Sequence, residues 1–285
     1  MNLIMNTNSL RIMTKSVSAI PIPIEIIEPK ITQVFDVVVS MVEIPPPFCP
    51  MCGKFITKNE CGDTRFKWMG CPFNKHTKQL WGCDDLIVSF DGSCYIPKEL
   101  NKTDKCWLHS DQAPISEGLQ CIQGFVSITE NTERTFVAYE GTHKMHHQYF
   151  KDKGIQNSKN WNRIAEDDVE KMKGLKRVLH VPAGALVIWD SRTFHQNQYG
   201  APNTEERLVQ YVCFLPENHP KNTKSMKTKR LKYYNERRTT SHWPCPIRVN
   251  SLQPQTYGDK SRLIDYSLLT PPNLECFESE IMKLL

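Results

Sequence analysis

The sequence predicts a mainly β protein, an antiparallel sandwich or barrel with helices at its periphery. Two observations lead there. From about residue 119 the chain breaks into short runs, LQCIQGFVSI, RTFVAY, RVLHVP, ALVIWD and RLVQYVCFL, dense in branched and aromatic residues. Such residues pack well on a pleated, half-buried surface. Gly, Pro, Asn and charged residues separate the runs at the close intervals of a two-sheet fold. Helices are expected at residues 160–173, behind Ser158 as a cap, and in the basic stretch after Pro220.

Taken in order, residues 1–30 are polar and then proline-interrupted (PIPIEIIEP), which predicts an extended arm. Residues 33–42 are Val-rich and predict a first strand, closed by the triple proline at 45–47. The expected organisation is therefore an arm with a first strand over 1–47 and a main domain over 48–285. That domain includes a Cys-rich segment, 48–106, in which no clean periodicity is visible. At 285 residues the chain is long enough for a substantial core. Its net charge of +5 is too mild to mark a nucleic-acid binder. No apolar stretch approaches the roughly 20 residues a membrane helix needs. The N-terminus lacks the apolar core of a signal peptide, so an intracellular, soluble protein is expected. The 11 cysteines then read as reduced thiols or metal ligands rather than a disulfide framework.

The chemistry concentrates in two segments. In Trp107-Leu108-His109-Ser110-Asp111-Gln112 an extended backbone puts His109 and Asp111 on one face. An imidazole and a carboxylate can then share one metal. The later segment VPAGALVIWDSRTFHQNQYG places His195 just after a buried-looking strand. Two histidines and one carboxylate leave roughly three coordination positions open, the arrangement of non-heme iron(II) oxygen chemistry. Those positions suit a bidentate 2-oxo acid and dioxygen. A 2-oxo acid with a second carboxylate needs a cation inside the barrel. Arg207, opening the next strand, can supply a two-pronged contact. Asn197, two residues after His195, shares its face and can donate a further hydrogen bond. Taken alone, Arg207 is equally readable as a surface ion pair with Glu205 or Glu206.

WLHSDQ, GFVSIT, the strand ending in EGTHK, and VPAGALVIWDSRTFHQN followed by Arg207 together resemble the phytanoyl-CoA dioxygenase family. The resemblance covers about residues 105–245, including RTTSHWP at 238–244. It implies a double-stranded β-helix (jelly roll), iron(II) held by His109, Asp111 and His195, and 2-oxoglutarate anchored by Arg207. The implied reaction oxidises a small organic or acyl substrate with dioxygen, decarboxylating 2-oxoglutarate to succinate. No catalytic acid–base pair beyond the metal ligands is expected. Related halogenases replace the carboxylate ligand with a small residue, so Asp111 favours hydroxylation. The chain departs from the family at residues 129–135, which lack a Gly-rich turn, and at Phe125, where Trp is frequent.

Other features compete. Cys49-Pro-Met-Cys52-Gly resembles a zinc-knuckle turn, but no second Cys pair at matching spacing completes it. His143, His146 and His147 cluster without an HExxH pattern, and the resemblance places this segment at a strand end leading into a helix. Residues 221–238 are rich in Lys and Arg and fit a solvated helix docking through Met226, Leu231 and Tyr234. The alternatives are thus an inactive barrel, or a zinc-knuckle protein binding nucleic acid through that basic segment.

Overall fold

A computed structural model describes residues 80–101, 107–253, 260–269, 281–282 and 285, with the backbone of Ser40–Glu43. The arm expected over 1–30 and the Cys49–Cys52 turn lie outside the described residues.

Two antiparallel sheets form the body. Strand β1 (Ser40–Glu43) is the end of the predicted first strand and pairs with β9 (Ala185–Asp190). β9 pairs with β5 (Ile122–Ser127), β5 with β11 (Arg207–Tyr211), and β11 with β3 (Ser93–Ile96). β12 (Phe214–Pro216) and β2 (Leu86–Val88) complete this seven-stranded sheet. The second sheet has five strands in the order β7 (Asn162–Arg163), β4 (His109–Ser110), β10 (His195–Asn197), β6 (Phe136–Tyr139) and β8 (Lys176–Val178). From β4 onward the chain passes repeatedly between the sheets, which is the winding of a double-stranded β-helix.

The period-2 alternation of strands explains the core. Phe125, Val187, Trp189 and Val209 from one sheet meet Phe136 and Ala138 from the other. The alternate residues Ile122, Leu186 and Ile188 pack outward against Leu86 and Phe214. β9 is buried along its whole length because both its faces are covered, hence its unbroken apolar run. On the outer side of the five-stranded sheet, Val137, Tyr139 and Phe194 pack with Phe150, Ile164 and Met172. Phe150 belongs to α1 (Thr142–Asp152), whose buried residues Thr142, His146 and Phe150 recur at four-residue intervals on one face. All described residues fall in one compact unit, Ile31–Leu285.

The helix expected over 160–173 is shorter. Asn162–Arg163 is a strand instead, and helix α2 covers Glu166–Lys171, followed by a 3-10 turn at Lys173–Leu175. The Asn162 amide donates to the carbonyls of Lys159 and Asn160, and so offers the backbone a local alternative to helix. Acidic residues 166, 167 and 168 then complement the helix N-terminus. RLVQYVCFL forms β11 and β12 rather than one strand, the second leaving β3 to pair with β2. The helix after Pro220 is α3, Lys224–Asn235, capped by Thr223. Of its expected contact residues, Met226 packs against the core and Tyr234 against Phe90, whereas Leu231 faces solvent and Arg230 is buried in addition. Among the described residues, Cys94, Cys121, Cys213 and Cys245 are free thiols. No helix among the described residues is long and apolar enough to cross a membrane.

Candidate metal centre

β4 and β10 are neighbours, and their register sets His109 directly opposite His195. Asp111 follows β4 immediately and is fixed by its backbone N–H, which donates to Ser191 O at 3.1 Å. The two histidines and Asp111 are all about 95% buried. Asp111 Oδ2 lies 3.6 Å from His109 Nε2 and 3.3 Å from His195 Nε2, and the three ligand atoms fall within 4.8 Å of one another. Among the described residues this is the one group of three such side chains able to hold a metal ion.

The second nitrogen of each ring explains its aim. His109 Nδ1 lies 3.1 Å from Trp107 O, and His195 Nδ1 lies 2.9 Å from Thr193 O. A carbonyl can only accept, so each Nδ1 carries the proton and each Nε2 turns a lone pair toward Asp111. The i, i−2 spacing of ring and carbonyl is the same in both. Two lone pairs and an anionic oxygen converging in a buried space repel one another unless a cation joins them. Burial alone would raise the Asp111 pKa, but its contacts with the two rings hold it well below the usual carboxylate range. Burial lowers the pKa of His195 and favours the neutral form that ligates.

A second layer orients the carboxylate. Gln123 Nε2 donates to Asp111 Oδ2 at 3.0 Å, and Trp189 Nε1 donates to Gln123 Oε1 at 3.0 Å. Gln123 is a polar residue on the inward-facing parity of a buried strand, 1% exposed. That mismatch is the sequence signal that sequence reading passed over. Replacing Gln123 by leucine is expected to weaken metal binding about 10- to 100-fold while the protein stays folded. Metal titrations of the two proteins at one pH check this.

His109 is flanked by two indoles, Trp107 at 5.0 Å and Trp161 at 5.5 Å between ring centroids, both stacked. Trp161 is half-exposed, so the centre has an aromatic outer wall.

The predicted anchor lies across the barrel. Arg207 is 1% exposed, which removes the surface ion-pair reading. Glu205 instead receives the backbone N–H groups of Thr132, Glu133 and Arg134, building the 129–135 turn without the glycines of related sequences. Arg207 Nη1 donates to Cys94 Sγ at 3.4 Å, and its guanidinium sits 5.4 Å from the Phe125 ring centroid. Its Nη2 is buried with no hydrogen-bond partner. No acid among the described residues pairs with it. An orphaned buried guanidinium is costly, and it suits an anion bound inside the barrel. Asn197 donates from Nδ2 to the Tyr211 hydroxyl at 2.9 Å, and Tyr211 shares the inward parity of Arg207 on β11. Burial pushes the Tyr211 hydroxyl up to about 12, so it stays protonated despite the opposing charge of Arg207.

The histidine cluster of α1 separates. His147 is exposed, 3.8 Å from Glu117. His146 is fully buried, its Nε2 lying 3.1 Å from Gln112 O and 3.2 Å from Ser110 Oγ. It braces the segment that carries two of the three ligands. Burial lowers its pKa from 6.5 to about 4. The unfolded chain therefore binds the extra proton first: stability is full above pH 6.5 and falls as pH drops from 6.5 toward 4. By pH 4.5 the loss from this group is about 2–3 kcal/mol. Denaturant unfolding at pH 7 and 4.5 checks it, with His146→Gln expected to lose that much less than wild type.

No protein-family model matches the chain. A curated relative, Ava biosynthesis cluster protein O of Aspergillus versicolor, is 26% identical over 166 residues, covering 53% of each chain. The chain thus spans about half the length of the curated relative it matches. Among solved structures, the non-heme monooxygenase ThoJ in its apo form aligns at a TM-score of 0.36 with 14% identity, over 51% of this chain and 52% of that one. HygX of Streptomyces hygroscopicus, with nickel and 2-oxoglutarate, aligns at 0.33 with 12% identity over 52% and 64%. The epimerase SnoN, in complex with Fe3+, alpha-ketoglutarate and nogalamycin RO, aligns at 0.33 with 16% identity over 50% and 55%. Alignments this partial carry no weight for metal or substrate.

Proposed function

We propose that the chain is an iron(II)- and 2-oxoglutarate-dependent oxygenase that hydroxylates a small organic or acyl substrate, as its resemblance to the phytanoyl-CoA dioxygenase family implies. The observation that carries this reading is the pairing of two features in one barrel. One is a facial set of two histidines and a carboxylate, His109, Asp111 and His195, with both Nε2 lone pairs aimed at Asp111. The other is a buried guanidinium, Arg207, that lacks an anion. The donor set fits iron(II) with open positions. The orphaned Nη2 fits the distal carboxylate of a dicarboxylic 2-oxo acid, and Asn197 with Tyr211 lies beside it as further polar support.

Bound together, iron(II) and 2-oxoglutarate supply an oxidation by dioxygen that releases succinate and carbon dioxide. The chain's own residues do the rest. His109 and His195 hold neutral imidazoles in place through Trp107 O and Thr193 O. Gln123, itself held by Trp189, fixes the carboxylate of Asp111. Phe125, Phe136 and Trp189 line the interior and exclude water from the reacting end. Because Asp111 is a carboxylate rather than a small residue, hydroxylation is the outcome assigned, not halogenation. The oxygenase domain is taken to run over residues 48–285, with the 1–47 segment adding β1 to its sheet. The name of the curated relative, which places it in a biosynthesis cluster, accords with a small-molecule substrate.

Neither zinc at Cys49 and Cys52 nor nucleic acid at 221–238 gains support. In α3, Arg230 is buried and Lys227 pairs with Glu217 at 2.6 Å. The test is purified protein with iron(II), ascorbate, 2-oxoglutarate and air. Succinate should form slowly without substrate and stop on chelation. A protein that neither binds 2-oxoglutarate nor forms succinate overturns the reading.

A further inference from the structure

Residues 238–250 form a loop tied down at several points. Thr240 N–H donates to Phe90 O, Ser241 N–H to Arg248 O at 2.8 Å and Asn250 N–H to Thr239 O at 2.9 Å. Trp243 and Cys245 are buried with Ile87, Cys121 and Cys213. Between these anchors His242 leaves 43% of its side chain exposed. Its Nδ1 lies 2.7 Å from Oδ2 of the buried Asp91, whose Oδ1 accepts from Gly92 N–H at 2.8 Å. Its ring packs edge-on to Tyr211 at 5.8 Å. Tyr211 faces into the barrel and bonds Asn197, which shares a strand face with His195. His242 is thus a rigidly held ring next to the proposed metal and cofactor cavity. Its Nε2 has no partner among the described residues.

We propose that His242 is a substrate-binding residue: fixed by Asp91 against Tyr211, it donates from Nε2–H to an anionic oxygen group of the substrate, a carboxylate or phosphate. A loop that only needed fastening has no use for an ion pair whose second donor is left without a partner. Asp91 Oδ2 accepts from Nδ1–H and stabilises the doubly protonated ring, which leaves Nε2–H a charge-assisted donor, the stronger kind of hydrogen bond. Partial burial works against the charge, but Asp91 outweighs it and pushes the pKa up to about 10, so the ring is a donor throughout the physiological range. This inference rests on the oxygenase reading and gives its substrate a chemical handle.

The test uses full-length protein carrying zinc as a redox-inert metal and saturating 2-oxoglutarate, which occupies Arg207. Imidazole nitrogen NMR should show His242 doubly protonated at pH 8, and singly protonated in Asp91→Asn. Phenylacetate and phenyl phosphate serve as probes, with benzyl alcohol as the uncharged control. One or both anions should shift the His242 resonances where benzyl alcohol does not, and phenylacetate against phenyl phosphate separates the two headgroups. His242→Gln should weaken probe binding about 10-fold or more while 2-oxoglutarate affinity stays within about twofold, since loss of one charge-assisted hydrogen bond costs that much. If metal and 2-oxoglutarate bind but the anions leave His242 unmoved, or bind the Gln variant equally well, the inference fails and the metal-centre reading stands. If neither metal nor 2-oxoglutarate binds, both fall.

Discussion

Asp111→Ala is expected to abolish succinate formation and to weaken iron(II) binding well beyond the roughly 10- to 100-fold that loss of an outer-layer partner costs. Asp111 is the one anionic ligand, and its Oδ2 is the atom both imidazoles approach. Without it, two neutral nitrogens remain in a site that no longer offsets the charge of a divalent ion. The variant should nevertheless fold. In the metal-free protein the neighbours of Asp111 more than offset its desolvation, since its pKa is held well below the usual carboxylate range, so its removal is expected to lower stability modestly. Gln123 adds to that loss, because its amide loses an acceptor. Metal content after dialysis, with unfolding curves of the metal-free proteins, separates the two effects.

Arg207→Met should raise the dissociation constant for 2-oxoglutarate about 100-fold or more, since each hydrogen bond to a charged group contributes roughly 1.5–3 kcal/mol. Iron(II) affinity should change little. The apo protein should be as stable as wild type or more so, because methionine fills much of the same volume against Phe125 and removes a buried, half-partnered cation. A residue kept only for structure would show the opposite sign. Lysine should not rescue binding, as its single ammonium cannot reproduce a two-pronged contact. Calorimetric titration of metal-loaded protein with 2-oxoglutarate, beside thermal melts of apo protein, reads both quantities.

Much of this site was visible in residue spacing. His109 and Asp111 at i and i+2, and His195 and Asn197 likewise, face the same way because strands alternate with period 2, and the structure places all four on the inner side. Strand β9 matched its predicted run residue for residue, since an apolar stretch between a Gly turn and a Ser-Arg turn admits few other readings. Three features were hidden for definite reasons. The periodicity of helix α1, expected there only from the family resemblance, is masked because it buries Thr142 and His146 where a pattern search looks for Leu or Val; Thr142 is accommodated because it bonds Tyr139 O and accepts from Phe194 N–H. Strands β2 and β3 are three and four residues long, too short for periodicity to register. The partnership of Gln123 and Trp189, 66 residues apart, exists only through the pairing of β5 with β9. Tyr211 and His242 likewise meet only in three dimensions. Local spacing revealed the candidate ligands, whereas the residues that aim them depend on strand register.

The most direct test of the central claim is an anaerobic titration of 2-oxoglutarate into the iron(II)-loaded protein, followed by calorimetry and visible absorption. The account predicts one saturable site per chain that requires the metal and is lost in both Asp111→Ala and Arg207→Met. Tight iron binding without metal-dependent uptake of 2-oxoglutarate, or uptake that survives both substitutions, would contradict it.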